Sequence, residues 1–564
     1  MKIVSRLFVA FGLVCVSLSA AESPAAVTAP ATPAIKLAVV ISIDQLRADY
    51  LIRFRPHFVE GGFKRLLEGG ADFRNNYYRY AYTITAPGHA SIMSGVFPAQ
   101  HGITANEWLE RDGWRAQSNV EDIASPLVGL PSDMAIPTLR LPIAGRSPKN
   151  FKATTVGDQL KLRFGPNSKV FAASNKDRSA ILMAGKLADA AYWDEAGHFV
   201  TSRYYRDALP AWVAAFNAEQ KARKYRGSTW DRLLPAAVYD AVQGPDDAPG
   251  ETTDYGLTRT FPKKIDGGTP ELSAEYFDAL DNSPYALESL GDFVQRAIKE
   301  EQLGRHAATD MLCVSFSQID SVGHSFGPDS HELMDSMLRL DRILAQLLDT
   351  IDREVGLKNC VFVLTSDHGA SPLPERVKAL RPDIDAGRIS GTELDAAMTK
   401  ALDQAFGPLP RDMLWFTREN SGYHVRPPAI TASRRPVGAI AEVIKATLLQ
   451  QEGIAQAYTR AEMLATPLDM DGESMLKLLR RSYYPPRDRD VVFVLKPYYI
   501  IRTPSGTTHG MPYDYDRHVP QLWFGAGVPA GVHLERVGID DIAPTMSSLL
   551  GLPPPPEALG RALF

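Results

Sequence analysis

Three stretches of the chain share one hydrophobic pattern, in which several apolar or β-branched residues in a row give way to polar residues that include an aspartate. The stretches are LAVVISIDQ, which reaches Asp44, MLCVSFSQID, which reaches Asp320, and CVFVLTSDHG, which contains Asp367. Uninterrupted apolar runs of this kind are typical of parallel strands that are buried on both faces. We therefore predict an α/β fold with a mostly parallel central sheet flanked by helices.

Other segments have helical spacing. Residues 330–356 carry apolar side chains three and four positions apart, which predicts a long helix between two of these strands, as in a βαβ unit. Residues 391–406 and 434–451 show the same spacing with charged outer faces. Residues 537–553 predict a capped helix that ends in a proline-rich stop.

The predicted strands lie far apart in the sequence, so the intervals between them must hold inserted structure. Residues 182–300 are aromatic, rich in glycine and proline, and irregular, whereas residues 376–488 contain the helical stretches. No repeat of fixed period is present. We predict one catalytic domain over residues 36–564, with cap-like insertions near 182–300 and 376–488.

The N-terminus has the pattern of a signal peptide. A charged start with Lys2 and Arg6 is followed by an apolar stretch and by the small residues Ser-Ala-Ala, which predicts cleavage after residue 21 and an Ala/Pro/Thr-rich tether over 22–35. Cys15 admits a lipoprotein alternative, but Val14 stands where a small residue is needed. We expect a periplasmic or secreted protein that is free of the membrane after cleavage.

Composition and net charge indicate which kinds of binding partner the protein can have. The 564 residues are 45% hydrophobic and 23% charged, which is ordinary for a globular protein. A net charge of -5 offers no basic surface for nucleic acid, and we expect a monomer without a nucleic-acid partner. Cys313 and Cys360 are the cysteines that remain after signal cleavage, and both lie inside predicted strands. We interpret them as small apolar core residues, with a disulfide between them as the alternative.

Polar residues at the ends of these segments have the chemistry of a metal site. The candidates are three aspartates and three histidines: Asp44, Asp320, His324, Asp367, His368 and His509. Ligands of open α/β sheets bind at the carboxyl ends of the strands, and zinc accepts this mixture of nitrogen and oxygen ligands. Asp320 with His324, or Asp367 with His368, would alone be interpreted as a turn. The prediction of a metal site therefore depends on the joint occurrence of all six residues.

The segment YAYTITAPGHASIMSGVFPAQHGITANEW carries the candidate nucleophile. Thr83 and Thr85 both precede a predicted helix, and composition does not choose between them. A helix start can bind an anion through its free N–H groups, and a hydroxyl placed there beside a metal becomes a nucleophile. His89 and His101 in the same segment are assigned structural roles by default.

Here the sequence resembles the alkaline phosphatase superfamily, and within it the compact periplasmic, phosphate-irrepressible alkaline phosphatases that use a threonine nucleophile. The resemblance extends over most of the chain after the tether. It is carried by six segments: VVISIDQLRADYL, TITAPGHASIMSGVFPAQHGITANEW, SNKDRSAIL, SFSQIDSVGHSFGPDS, LTSDHGAS and GTTHGMPYDYDRHVP.

The resemblance implies a role for each motif. It selects Thr85 as the nucleophile and places Asn106, Lys176 and Arg178 on the phosphoryl group. It also implies two zinc ions. One set of ligands is Asp320, His324 and His509, and the other is Asp44, Asp367 and His368, with Thr85 adjoining the metals.

The expected function is zinc-dependent hydrolysis of small-molecule phosphate monoesters through a phosphothreonine. Two fixed cations suit the charged oxygens of a monoester, whereas a diester has one of these oxygens blocked. A phosphodiesterase or nucleotide pyrophosphatase on the same scaffold is the alternative. A sulfatase is disfavoured because its C/S-x-P-x-R motif is missing, and a binding protein without turnover is disfavoured because every predicted ligand and nucleophile is present.

Overall fold

The apolar runs of the sequence form the middle of a ten-stranded sheet. The computed structural model describes residues 35–131, 145–269 and 271–564. The signal peptide 1–21 and the tether 22–35, apart from Ile35, lie outside these residues, so both stay predictions. Within the described residues no helix is long and apolar enough to cross a membrane.

The strands of the central sheet are labelled here in chain order. They are β1 (Leu37–Ile43), β2 (Ala71–Phe73), β3 (Leu127–Val128), β4 (Val170–Ser174), β5 (Ala190–Glu195), β6 (His198–Ser202), β7 (Asp310–Phe316), β8 (Cys360–Thr365), β9 (Gln521–Gly525) and β10 (Gly531–His533). Across the sheet their order is β10-β2-β9-β8-β1-β7-β4-β5-β6-β3.

The strands β8, β1, β7, β4 and β5 are parallel neighbours. The pairs outside them are antiparallel, except for the parallel pair β2 and β10. In β1, Ile43 pairs with Phe316 and Ser42 pairs with Thr365, so the three strands with apolar runs end at one edge. The polar residues that follow these strands therefore emerge together. The predicted fold class is confirmed.

Each central strand is buried on both faces, as its continuous apolar run requires. Val39 and Ile41 of β1 belong to one hydrophobic cluster, and Ala38 and Val40 belong to a second cluster on the opposite face. The two described cysteines are free and divide in the same way, with Cys360 in the first cluster and Cys313 in the second. Their predicted role as core residues is confirmed.

The helices of eight or more residues flank the sheet or belong to the insertions. They are Thr85–Ser94, Val156–Phe164, Asp177–Ala184, Ala211–Ala218, Ala236–Gln243, Ala274–Asp281, Tyr285–Glu300, Gln318–Phe326, His331–Glu354, Gly391–Phe406, Val437–Leu448, Met475–Ser482 and Ile542–Leu549. The long helix His331–Glu354 connects β7 to β8, and the Ser330 side chain caps its start by accepting a hydrogen bond from the Leu333 N–H.

The two predicted insertions differ in character. The first predicted stretch, 182–300, includes β5 and β6, which join the central sheet, so inserted structure begins only after Ser202. The second stretch, 376–488, contributes three strands to a separate four-stranded sheet, and the fourth strand follows it; most residues of a third hydrophobic cluster belong to this region. The strands of that sheet are Phe416–Glu419, Gly422–Val425, Ile454–Thr459 and Val491–Leu495.

Candidate metal centre

The predicted aspartates converge at the carboxyl edge of the parallel strands. Asp44 directly follows β1, Asp367 follows the end of β8 by two residues, and Asp320 lies in the helix that follows β7. All three are buried, with exposed fractions of 0%, 0% and 4%. Buried carboxylates need hydrogen bonds or positive charge, because an isolated charge is costly away from water.

The helix Gln318–Phe326 explains the spacing of the first motif. Asp320 and His324 are four residues apart, so the helix presents them on one face, and His324 Nε2 lies 3.2 Å from Asp320 Oδ1. His509 approaches the same oxygen from a distant loop, with its Nε2 at 3.7 Å. Gln45 Nε2 donates to Asp320 Oδ1 at 2.6 Å and ties this helix to the end of β1.

Two groups of side chains bring their ligand atoms within 4.8 Å of one another. One group is Asp320, His368 and His509, and the other is Asp44, His89 and Asp367. His368 also contacts the second group, because its Nε2 lies 3.1 Å from Asp367 Oδ2. His368 therefore adjoins both groups.

His89, which the sequence analysis assigned a structural role, lies among the predicted ligands. Its Nε2 is 3.3 Å from Asp44 Oδ1, and its Nδ1 is 3.6 Å from Asp367 Oδ2. Ser315 Oγ also adjoins Nε2, at 2.9 Å. The signal was available in the sequence, since a helix that starts at Thr85 places a residue four positions later on the same face.

The four histidines of the site share one arrangement, in which Nδ1 lies 2.8–2.9 Å from a backbone carbonyl oxygen. The carbonyls are Thr85 for His89, Thr507 for His324, Gly369 for His368 and Thr83 for His509. Because a carbonyl oxygen only accepts, Nδ1 carries the proton in each ring. Metal-binding histidines are commonly oriented by such a bond, which directs Nε2 toward the ion.

Lys176 lies between the carboxylates. Its Nζ donates to Asp44 Oδ2 at 2.9 Å and to Asp320 Oδ2 at 2.6 Å. Burial raises the pKa of Asp44, but the Lys176 ammonium and the nearby imidazoles together outweigh burial, and the pKa lies below its usual range. For Asp320, burial is likewise outweighed, by His324 and Lys176, and the pKa lies well below its usual range.

The donor set fits divalent cations. Three buried carboxylates face a single bound ammonium, and Asp367 Oδ2 accepts no hydrogen bond from the described residues. Imidazoles oriented by backbone carbonyls supply the nitrogen ligands. Oxygen and nitrogen ligands in this proportion are those of zinc and related metals.

Thr85 is the first residue of the helix Thr85–Ser94, and its Oγ1 lies 3.4 Å from His368 Nε2. Thr83, the rival nucleophile, faces the centre through its carbonyl, which holds His509, while its buried hydroxyl has no partner among the described residues. The helix start adds a positive field at Thr85. The geometry therefore favours Thr85.

The remaining predicted residues flank this helix start. Asn106 Oδ1 accepts from the Ala86 N–H at 3.0 Å, which ties Asn106 to the residue that follows Thr85 and leaves its amide nitrogen as a donor. Arg178 and Asn106 line one cavity of about 600 Å³. Arg146 Nε donates to Asp177 Oδ2 at 2.7 Å and fixes the turn between Lys176 and Arg178.

Comparisons with known proteins show the family of the chain. Residues 38–512 match the model of the type I phosphodiesterase / nucleotide pyrophosphatase family. The chain belongs to this family. Within it, the chain is 34% identical to the alkaline phosphatase PhoV of Synechococcus elongatus over 94% of this chain and 92% of that protein.

A second relative in the family is the alkaline phosphatase PafA of Elizabethkingia meningoseptica, which is 31% identical over 94% of each chain. The crystal structure of wild-type PafA superposes with a TM-score of 0.86 and 30% identity, and covers 95% of this chain and 99% of that one. The predicted membership of the alkaline phosphatase superfamily is confirmed, and the chain is an enzyme of alkaline phosphatase type.

Proposed function

We propose that the protein hydrolyses phosphate monoesters with two zinc ions and a phosphothreonine at Thr85. The observation that carries this proposal is the Thr85 hydroxyl, 3.4 Å from His368 Nε2, within a buried group of carboxylates and imidazoles. A hydroxyl at a helix start beside metal-binding side chains is the arrangement expected of an activated nucleophile. The alkaline phosphatase relatives support the same reaction class.

The ligands would divide as the sequence analysis predicts. Asp320, His324 and His509 would hold one zinc ion, and Asp44, Asp367 and His368 would hold the other. Bound zinc supplies positive charge that activates a hydroxyl and stabilises the departing ester oxygen. The contact of His368 Nε2 with Asp367 Oδ2 at 3.1 Å supports its place in the second set.

The residues of the chain would then carry the reaction in two displacements. Thr85 Oγ1 attacks phosphorus, the bond from phosphorus to the alcohol oxygen breaks, and the alcohol leaves with the hydroxyl proton. Water next breaks the bond between Thr85 Oγ1 and phosphorus, which restores the hydroxyl and releases inorganic phosphate. Asn106, Lys176 and Arg178 would bind the phosphoryl oxygens and hold them in line for attack.

The rival activity is phosphodiester or nucleotide pyrophosphate cleavage, which the family model includes in its description. Lys176, Arg178 and Asn106 favour the monoester, since its terminal oxygens carry the charge that fixed cations stabilise. Hydrolysis rates of matched aryl monoesters and diesters separate the two activities. A clear preference for the diester would show that the protein is a phosphodiesterase or nucleotide pyrophosphatase.

The identity of the metal is tested by removing bound metal with a chelator. Activity is then measured after separate addition of zinc, calcium and magnesium. We expect zinc alone to restore full monoester turnover, at about two ions per chain. Full recovery with magnesium or calcium instead would contradict the assignment.

We also propose that the mature enzyme is exported to the periplasm or secreted, starting near Glu22. The signal-peptide pattern of residues 1–21 supports this. N-terminal sequencing of the exported protein is the test. A membrane-bound product that begins at Cys15 would instead identify a lipoprotein.

A further inference from the structure

A β-hairpin of the second insertion, formed by Phe416–Glu419 and Gly422–Val425, borders the candidate site on two sides. Its residues Arg418 and Asn420 line the cavity of about 600 Å³ that contains Asn106 and Arg178. The same two residues line a cavity of about 230 Å³ that contains His509. The hairpin therefore lies between the predicted phosphoryl contacts and one predicted metal ligand.

The hairpin is fixed relative to the catalytic residues. Glu419 Oε2 accepts from the Leu109 N–H at 2.8 Å, three residues after Asn106. On the other side, Arg418 Nε donates to Asp395 Oδ1 at 2.9 Å within the insertion. These bonds hold the hairpin as a wall of the cavity.

Several polar, uncharged side chains that line this cavity have no hydrogen-bond partner among the described residues. Within the described part of the chain, the side chains of Ser118, Thr417 and Asn420 make no hydrogen bond, and all three line the larger cavity. The carboxylate of Asp177 is paired with Arg146, and Arg418 is paired with Asp395. Free hydroxyls and amides can bind hydroxyl groups of a ligand.

The three arginines that line the same cavity, Arg146, Arg178 and Arg418, each lie beside a carboxylate, so their positive charge is partly compensated within the chain. Glu107 at its rim is an exposed carboxylate, which would repel another negative charge. An apolar group would leave the polar side chains of the wall without partners. The walls are thus suited to a neutral alcohol that carries hydroxyl groups.

We infer that the hairpin binds the alcohol part of the phosphate ester, and that Thr417 and Asn420 favour small neutral polyol phosphates over alkyl phosphates. This inference rests on the proposed monoesterase function. It adds a specificity element from the insertion to the catalytic residues of the main sheet.

The test compares glycerol 1-phosphate with propyl phosphate, esters of similar size that differ in hydroxyl groups. The variants are Thr417→Val, which keeps the side-chain shape, and Asn420→Gly, which keeps the left-handed backbone at φ 47°. Thr431→Val, at an exposed position of the helix Pro427–Ser433 in the same insertion, is the matched control. Inhibition by inorganic phosphate reports phosphoryl binding without an alcohol.

We expect each hairpin variant to lower kcat/KM for glycerol 1-phosphate by about three- to tenfold, the effect of one neutral hydrogen bond. Turnover of propyl phosphate and inhibition by inorganic phosphate should change less than about twofold, as should every value for Thr431→Val. Equal loss on both esters, or no loss on either, would overturn the inference.

Failure of the proposed function gives a different result. In that case the unmodified, zinc-loaded enzyme would turn over neither monoester while still cleaving an aryl diester. That result would remove the basis of the inference together with the monoesterase assignment.

Discussion

His101 makes the stability of the fold depend on acid in a predictable way. The side chain is fully buried, with Nδ1 accepting from the Ile103 N–H at 3.1 Å and Nε2 lying 3.1 Å from Ser91 Oγ. Burial, helped by the nearby positive charge of Arg487, lowers its pKa from 6.5 to about 3. The folded protein therefore keeps this imidazole neutral, and a proton on Nδ1 would break the bond from Ile103.

The sign follows from proton linkage. In the unfolded chain the imidazole takes up a proton below about pH 6.5, whereas in the folded chain it resists until about pH 3, so stability falls as the pH falls through this window. From pH 8 to pH 5 this single residue should remove about 2 kcal/mol of unfolding free energy, since one pKa unit corresponds to about 1.4 kcal/mol.

The assay is urea unfolding of the metal-free protein at pH 8 and pH 5, with His101→Asn compared with the unmodified chain. Asn retains an acceptor for Ile103 and cannot titrate, so the variant should be less stable at pH 8 but lose about 2 kcal/mol less on acidification. His57→Asn, at a half-exposed position, is the control. A variant that loses stability in parallel with the unmodified protein would refute the reasoning.

Three further predictions concern the site. Thr85→Ala should retain its metal content and lose covalent labelling with phosphate, as measured by mass spectrometry; labelling at Thr83 would transfer the role of nucleophile. Lys176→Ala and Arg178→Ala should lower kcat/KM for aryl monoesters by about a hundredfold or more and for matched diesters far less, because charge-assisted contacts to the transition state are lost. Equal losses would mean that the pair only supports the fold. His89→Asn should weaken metal retention about ten- to a hundredfold in a chelator competition, the usual effect of losing an outer partner of metal ligands; unchanged retention would leave His89 a purely structural residue.

The fold was predictable where the hydrophobic pattern of a segment directly reflects its burial in the structure. β1, β7 and β8 are buried on both faces, so their sequences are apolar without interruption and their ends identify Asp44 and Asp367. The helix Gly391–Phe406 coincides with the predicted segment because its amphipathic spacing is complete. Short edge strands such as Leu127–Val128 were missed, since two residues carry no periodic signal.

The candidate site was less predictable where it depends on long-range packing. The proximity of His368 to both groups depends on how the loop after β8 packs against residues from other segments, which spacing alone does not encode. His89, by contrast, lies four residues after Thr85 in one helix, a spacing that the sequence shows. The hairpin wall is a product of the second insertion, which packs from far along the chain. Its polar turn has no local feature that distinguishes it from a solvent-exposed loop.

The bonds between the site histidines and backbone carbonyls have a consequence for how metal enters. The carbonyl of Thr83, two residues before the proposed nucleophile, orients His509, and the carbonyl of Thr507, two residues before His509, orients His324. Both histidines are therefore oriented by another part of the centre. The conformational entropy of arranging the ligands is then lost during folding and not during metal uptake. Such preorganisation lowers the cost of binding. The demetallated enzyme should remain folded and should recover its ions without a slow refolding phase.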